Sequence, residues 1–236
     1  MILVHGITES LRSWSPITER LSTAGYQVAV LDLRGHGESP RHAPYDLGSL
    51  ASDVAAVALA VGADKPRVVG HSLGGAVVSA LAGAFPLHSA VNVDQPLKLD
   101  GFQEQLQAAA PALNAPDSFP LVVSALFDQM SGDMISVEER SRIESLRRPD
   151  QEVVLGVWDL VLNAPREELA AAVDGGASTV GCPYLSLHGI DPGEEYKTWL
   201  QRLVPQAEVE VWPGYGHYPH LVDPDRFVAR LGEFWG

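Results

Sequence analysis

The segment Arg67-Val-Val-Gly-His-Ser-Leu-Gly-Gly75 sets Ser72 in a Gly70-x-Ser72-x-Gly74 frame. A short apolar run precedes it, and an alanine- and valine-rich stretch with helical patterning follows. A strand that turns this sharply into a helix lifts the residue at the turn above the sheet, and only small flanking residues fit the turn. The helix N-terminus beneath favours developing negative charge. A serine hydroxyl held there becomes a nucleophile once a base takes its proton, the chemistry of acyl transfer. Of the eight histidines, His217 and His220 compete for the role of base, whereas His5, His36 and His71 sit in motif turns and read as loop-shaping residues.

Other chemistries find less support. Gly35-x-Gly37 lacks the third glycine and the strand-to-helix context of a dinucleotide loop. His36 and His42 show no metal-ligand spacing with a carboxylate, and no motif implies a bound cofactor or metal. A formal charge of −14 over 236 residues argues against nucleic acid as a partner, since phosphates would be repelled. One cysteine, Cys182, excludes an internal disulfide and reads as a buried structural thiol. The apolar start Met1–Val4 is too short for a signal peptide or a membrane span, so a cytoplasmic protein without membrane association is expected.

Positioning Ser72 requires a sheet. Short apolar runs at Met1–Val4, Gln27–Leu31, Arg67–Gly70, Ala90–Val93, Tyr184–Leu187 and Glu208–Trp212 alternate with helix-patterned segments. Runs rich in valine and leucine without alternation suit strands buried on both faces, so a mostly parallel α/β sheet is expected. Ser15-Pro16 starts one helix that Gly25 stops. Leu47, Leu50, Val54, Val57, Ala58 and Val61 form the apolar stripe of another, and Asp223-Pro224 starts a last one. Between Val93 and Cys182 the alternation breaks: Gln103–Ala110, Phe119–Met130, Val137–Arg148 and Glu152–Leu162 read as helices without a strand. The expected organisation is a core of residues 1–94 and 182–236 with a helical cap, 95–181, over the sheet's carboxyl edge.

With these segments in order, the chain resembles the α/β-hydrolase family. His5-Gly6 looks like its oxyanion loop, Asp32-Leu-Arg-Gly-His-Gly-Glu-Ser39 like the turn after the next strand, and Gly216-His217-Tyr-Pro-His220 like its terminal histidine segment. The resemblance implies a serine hydrolase with Ser72 as nucleophile and His217, directly after glycine, as base. It implies oxyanion donors in the backbone amides of Ile7 and Leu73. Asp191, after the penultimate strand, gives the family's chain order of serine, acid and histidine. Many members have one more residue between the preceding glycine and this aspartate, so Glu194, Glu195 and Asp94 stay open as the acid. Serine at position 72 argues against the aspartyl-ester route of epoxide hydrolases and haloalkane dehalogenases.

Trp14, Phe127, Met130 and Trp158 are the candidate pocket residues, and a mostly apolar lining predicts an uncharged, fairly hydrophobic ester or lactone. The same parts serve thioesterases, carbon–carbon bond hydrolases and perhydrolases, and a ligand-binding receptor on a hydrolase scaffold is the alternative from another class. The family normally carries a strand pair before the strand leading into His-Gly. Its absence here is expected to bare the sheet edge beside Gln27–Leu31 and to invite a homodimer.

Overall fold

A computed structural model describes residues 1–236. Its six strands are β1 (Ile2–Val4), β2 (Ala29–Leu31), β3 (Arg67–His71), β4 (Ser89–Val93), β5 (Tyr184–His188) and β6 (Ala207–Val211). All neighbours pair in parallel, in the order β2-β1-β3-β4-β5-β6. The register sets Gly70 beside Val4 and His71 beside Val93, so β1, β3 and β4 end nearly level. Each expected strand exists, with ends moved by one or two residues.

Alternate strand residues feed two cores. Ile2, Val4, Val68 and Ala90 face one helical layer, α2 (Leu47–Ala60) and α3 (Leu73–Ala84), through Leu50, Val54, Val77 and Leu81. Leu3, Val69, Val91, Leu185 and Leu187 face the other, α1 (Ser15–Thr23) and the C-terminal helix, through Ile17, Leu21, Phe227 and Leu231. A parallel sheet buries its strands on both sides in this way, which is why they read as continuous apolar runs.

Between β4 and β5 lie α4 (Asp100–Asn114), α5 (Phe119–Met130), α6 (Val137–Leu146), α7 (Gln151–Val157), α8 (Asp159–Asn163) and α9 (Arg166–Ser178). The single helix expected over Glu152–Leu162 breaks at Trp158, whose backbone (φ −89, ψ 4) leaves the helical region. Helix α9 and the next one, α10 (Glu194–Leu203), carry no sequence expectation; α9 buries Leu169 and Ala177, and α10 buries Tyr196 and Leu200 with Trp199 and Leu203 packed beside them. The stretch 95–181, read from sequence as one cap, divides in two. Its middle helices rest on loops at the carboxyl edge, where Arg148 N donates to Thr8 O (2.8 Å) and Val153 packs on Gly35. Helix α9 instead packs on α3, with Thr179 filling the space a side chain at Gly83 would need, and completes the helical layer of the sheet. After β6 come the short α11 (Pro219–Val222) and α12 (Pro224–Trp235). No helix is long and apolar enough to cross a membrane.

Helix α12 joins the second core by Phe227 and Leu231, both fully buried, and Asp223 caps it by accepting from Arg226 N (3.0 Å). Phe227→Ala is expected to cost about 3–5 kcal/mol in urea unfolding, and Asp223→Ala about 1 kcal/mol.

Candidate active site

Strand β3 ends at His71 and α3 begins at Leu73, so the whole change of direction falls on Ser72, at φ 52 and ψ −123. The two glycines of the motif are steric necessities. A Cβ on Gly70 would stand 2.0 Å from the Gly74 carbonyl oxygen, and one on Gly74 would stand 2.2 Å from that of Val4. Ser72 N donates to Val93 O (2.9 Å), tying the turn to β4.

One residue beyond that carbonyl is Asp94, also at positive φ (53) and buried. Its Oδ2 lies 2.7 Å from His217 Nδ1, and its Oδ1 accepts from the amides of Gly189 (2.8 Å) and Ile190 (3.1 Å). A carboxylate only accepts, so Nδ1 carries the imidazole proton and Nε2 keeps a lone pair. Nε2 is buried and has no hydrogen-bond partner. Burial pulls the His217 pKa below 6.5, and the bond to Asp94 opposes that pull. Burial alone would raise Asp94, but the hydrogen bond from His217, with the His217 and His188 rings nearby and the Ile190 amide donating to it, holds it below the usual carboxylate range.

This pairing corrects the assignment of Asp191 as the acid partner. Asp191 is exposed, and its Oδ1 accepts from Gly193 N (2.8 Å) in the turn that leads into α10. Glu194 and Glu195 lie exposed in the first turn of α10. The loop after β5 does reach the acid, through two backbone amides rather than a side chain. Of the two histidines, His220 meets no carboxylate; its ring packs against Trp14 (4.7 Å) and His71 (4.6 Å).

The base loop is gripped from several sides. Gly216 sits at φ 64, where a Cβ would stand 2.4 Å from Ser131 O; His217 N donates to Met130 O (2.9 Å), and His71 Nε2 donates to His217 O (2.8 Å). The loop after β1 is a tight turn closed by Glu9 N donating to Gly6 O (3.2 Å), with Thr8 at φ 65. A Cβ on Gly6 would lie 3.2 Å from Ser72 Cβ, so this turn sits directly against the serine turn. Neither the Ile7 nor the Leu73 amide is taken by a loop carbonyl. His5 braces the turn: its Nε2 accepts from Leu33 N (3.0 Å), which leaves Nδ1 to donate to Gly6 O (2.7 Å). Asp32 ties in the next loop by accepting from Leu11 N (2.7 Å) and Glu38 N (3.0 Å).

The four expected pocket residues separate. Phe127, with the Arg147 guanidinium 4.6 Å above its ring, lies 6.4 Å from the His217 ring, and Met130 touches His217 through its carbonyl. Trp14 is corrected to a core residue: fully buried, it packs with the α1 and α12 side chains. Trp158 packs edge-on against Phe102 (5.8 Å) inside the helical insertion.

The sequence pattern of the Alpha/beta hydrolase family matches residues 1–230. The lipase LipV of Mycobacterium tuberculosis is 38% identical over 103 residues, 43% of this chain and 39% of the lipase, so the match spans under half of that relative. The esterase YbfF of Escherichia coli is 26% identical over 248 residues, covering 99% of this chain and 92% of that protein. Among solved structures, an esterase from Exiguobacterium antarcticum superposes with a TM-score of 0.77 at 16% identity, over 99% of this chain and 90% of that one, a likeness of fold.

Two measurements check the electrostatics. The low-field proton signal of His217 Nδ1 should persist in Asp191→Asn and vanish in Asp94→Asn. Burial pushes His36 and His188 down to about 4, against 6.5 for free histidine. Below pH 6.5 the unfolded chain therefore binds more protons than the folded one, and stability falls with pH until about 4. The urea midpoint should be lower at pH 5 than at pH 7.5.

Proposed function

The chain belongs to the alpha/beta hydrolase family, and from that premise we propose that it hydrolyses a carboxylic ester or lactone through an acyl-enzyme on Ser72. The observation that carries this reading is the buried His217, proton fixed on Nδ1 by Asp94 and lone pair open on Nε2, its ring 4.7 Å from that of His71, the residue that leads into Ser72 at positive φ. In the proposed reaction His217 Nε2 takes the Ser72 proton as Oγ attacks the acyl carbon. The resulting oxyanion is received by the Ile7 and Leu73 amides. His217 returns the proton to the leaving alkoxide, the C–O bond breaks, and an alcohol departs, or in a lactone swings away still tethered. Water then repeats the attack with His217 again as base, releasing the acid and restoring Ser72.

Asp94 acts in this scheme by orienting the ring and favouring its charged form, and it stays ionised throughout. The lipase and esterase names of the relatives support the ester class. Phe127 and Met130 beside His217 support an uncharged, fairly hydrophobic acyl or lactone group.

Hydrolysis of p-nitrophenyl butyrate should fall by about 10³-fold or more in Ser72→Ala, His217→Ala and Asp94→Asn. Asp191→Asn should stay within about threefold of wild type, its side chain being exposed and turned to Gly193 N, and His220→Gln should lose far less than His217→Ala. Because the base must be neutral and burial lowers its pKa, kcat/KM should climb through an acid limb below pH 6.5 and hold level across neutrality. A folded wild type that releases no nitrophenol, or Asp191→Asn losing as much as Asp94→Asn, would sink this reading.

A further inference from the structure

A second buried carboxylate lies against the serine turn, and the scheme above gives it no task. Glu9 closes the loop after β1, with 3% of its side chain exposed. Its Oε2 accepts from Gly6 N (3.4 Å) and stands 3.7 Å from His71 Nδ1. His71 immediately precedes Ser72, and the space beside Gly6 is bounded by Ser72 Cβ, His71 Nδ1 and the Glu9 carboxyl together.

The proton count follows from the partners. His71 Nε2 faces the His217 carbonyl at 2.8 Å, and a carbonyl only accepts, so Nε2 carries a hydrogen. Were His71 neutral, Nδ1 would turn a bare lone pair on a carboxylate across 3.7 Å, inside protein and away from water. That contact repels; with a hydrogen on Nδ1 it attracts. A carboxylate buried this deep without a cation beside it would also be strongly disfavoured.

We propose that Glu9 holds His71 as an imidazolium, and that this buried ion pair is a positioning device locking the oxyanion turn, the serine turn and the base loop to one another. The links are Gly6 N to Glu9, Glu9 to His71, and His71 to the His217 carbonyl. The pair is neutral as a whole, so the site where an oxyanion would form gains no net charge from Glu9. The other titratable groups around Glu9 are His5 from the end of β1 and His220 from α11, both pushed toward the neutral form by burial, and the Tyr218 hydroxyl, which accepts from Arg147 (2.8 Å). Arg142, behind His220, is occupied by Glu139 and the Ser13 carbonyl. Burial would raise the Glu9 carboxyl, but His71 holds it well below the usual range.

The positioning role rests on the acyl-transfer reading; the ion pair does not, and the experiment separates them. In 15N-histidine-labelled wild type at pH 7.5, both ring nitrogens of His71, assigned with His71→Gln, should carry hydrogen. In Glu9→Gln only Nε2 should. A neutral His71 in the wild type overturns the proposal whatever the activity. With folding verified by circular dichroism, Glu9→Gln should lower kcat for p-nitrophenyl butyrate by about tenfold, with KM within about twofold. Its acid limb should move to higher pH, because the His71 charge that depresses the His217 pKa outweighs the Glu9 charge that raises it. A folded Glu9→Gln with wild-type kcat and pH profile overturns the role. A wild type that shows the imidazolium yet never turns over sinks the hydrolase reading and, with it, the role in catalysis, while the ion pair stands.

Discussion

Three residues other than glycine hold a positive φ: Thr8, Ser72 and Asp94. Ser72 and Asp94 directly follow β3 and β4, Thr8 lies in the loop four residues after β1, and the three strands are neighbours in the sheet. A strand that continues in extended conformation alternates its side chains between the two helical layers. To aim a polar side chain across the sheet's edge instead, the backbone must leave the extended region within one residue. A left-handed residue achieves this at about 1–3 kcal/mol of strain. Level strand ends place three such turns side by side, and the site is their junction.

Strain of that size persists only if the surroundings leave no alternative. At Ser72 the glycines supply this: Gly74 lies so close to Val4 O, and Gly70 so close to Gly74 O, that relaxation would drive backbone into backbone. At Asp94 hydrogen bonds do it, since the Gly189 and Ile190 amides take one carboxylate oxygen and His217 the other. These bonds also offset the desolvation of a buried charge, which is why Asp94 remains a carboxylate. The helical insertion contributes by contact: Met130, Ser131 and Gly132 clasp the base loop at Gly216 and His217.

What could be read from the sequence was local. The strands and the serine turn announce themselves within ten residues, because apolar runs and glycine spacing encode backbone geometry directly. The identity of the acid is not local. Asp94 and Asp191 both follow a strand, and what separates them is whether the neighbouring loop leaves its amides free to face the side chain. Asp191 spends its carboxylate on Gly193 N two residues on, a choice its own Asp-Pro-Gly context permits. Trp14 misled for a related reason: close in sequence to the loop after β1, it is carried by a 3-10 turn (Leu11–Trp14) into the core beneath. Helix α9 escaped notice because its apolar side is thin, Leu169, Val173 and Ala177 among small residues; α10 does carry a stripe, Tyr196, Trp199, Leu200 and Leu203, but its charged first turn beside Asp191 reads as a loop. Glu9 carried no signal at all, since an acidic residue in a loop reads as solvated until its burial is known.

The burial of His217 then has a functional sense. A desolvated imidazole is a poorer base in the resting state, so burial alone would hinder the proposed reaction. The geometry changes that balance during the reaction rather than before it. Neutral His217 makes one ordinary hydrogen bond to Asp94; once Nε2 takes a proton, the same 2.7 Å contact becomes an ion pair in a site from which water is excluded. The gain appears only in the charged form. A single carboxylate, fixed by two amides it cannot leave, thus strengthens its hold on the base as charge develops in the proposed transition state and relaxes it afterwards. Differential stabilisation of this kind accelerates chemistry, whereas tighter binding of the resting site would not.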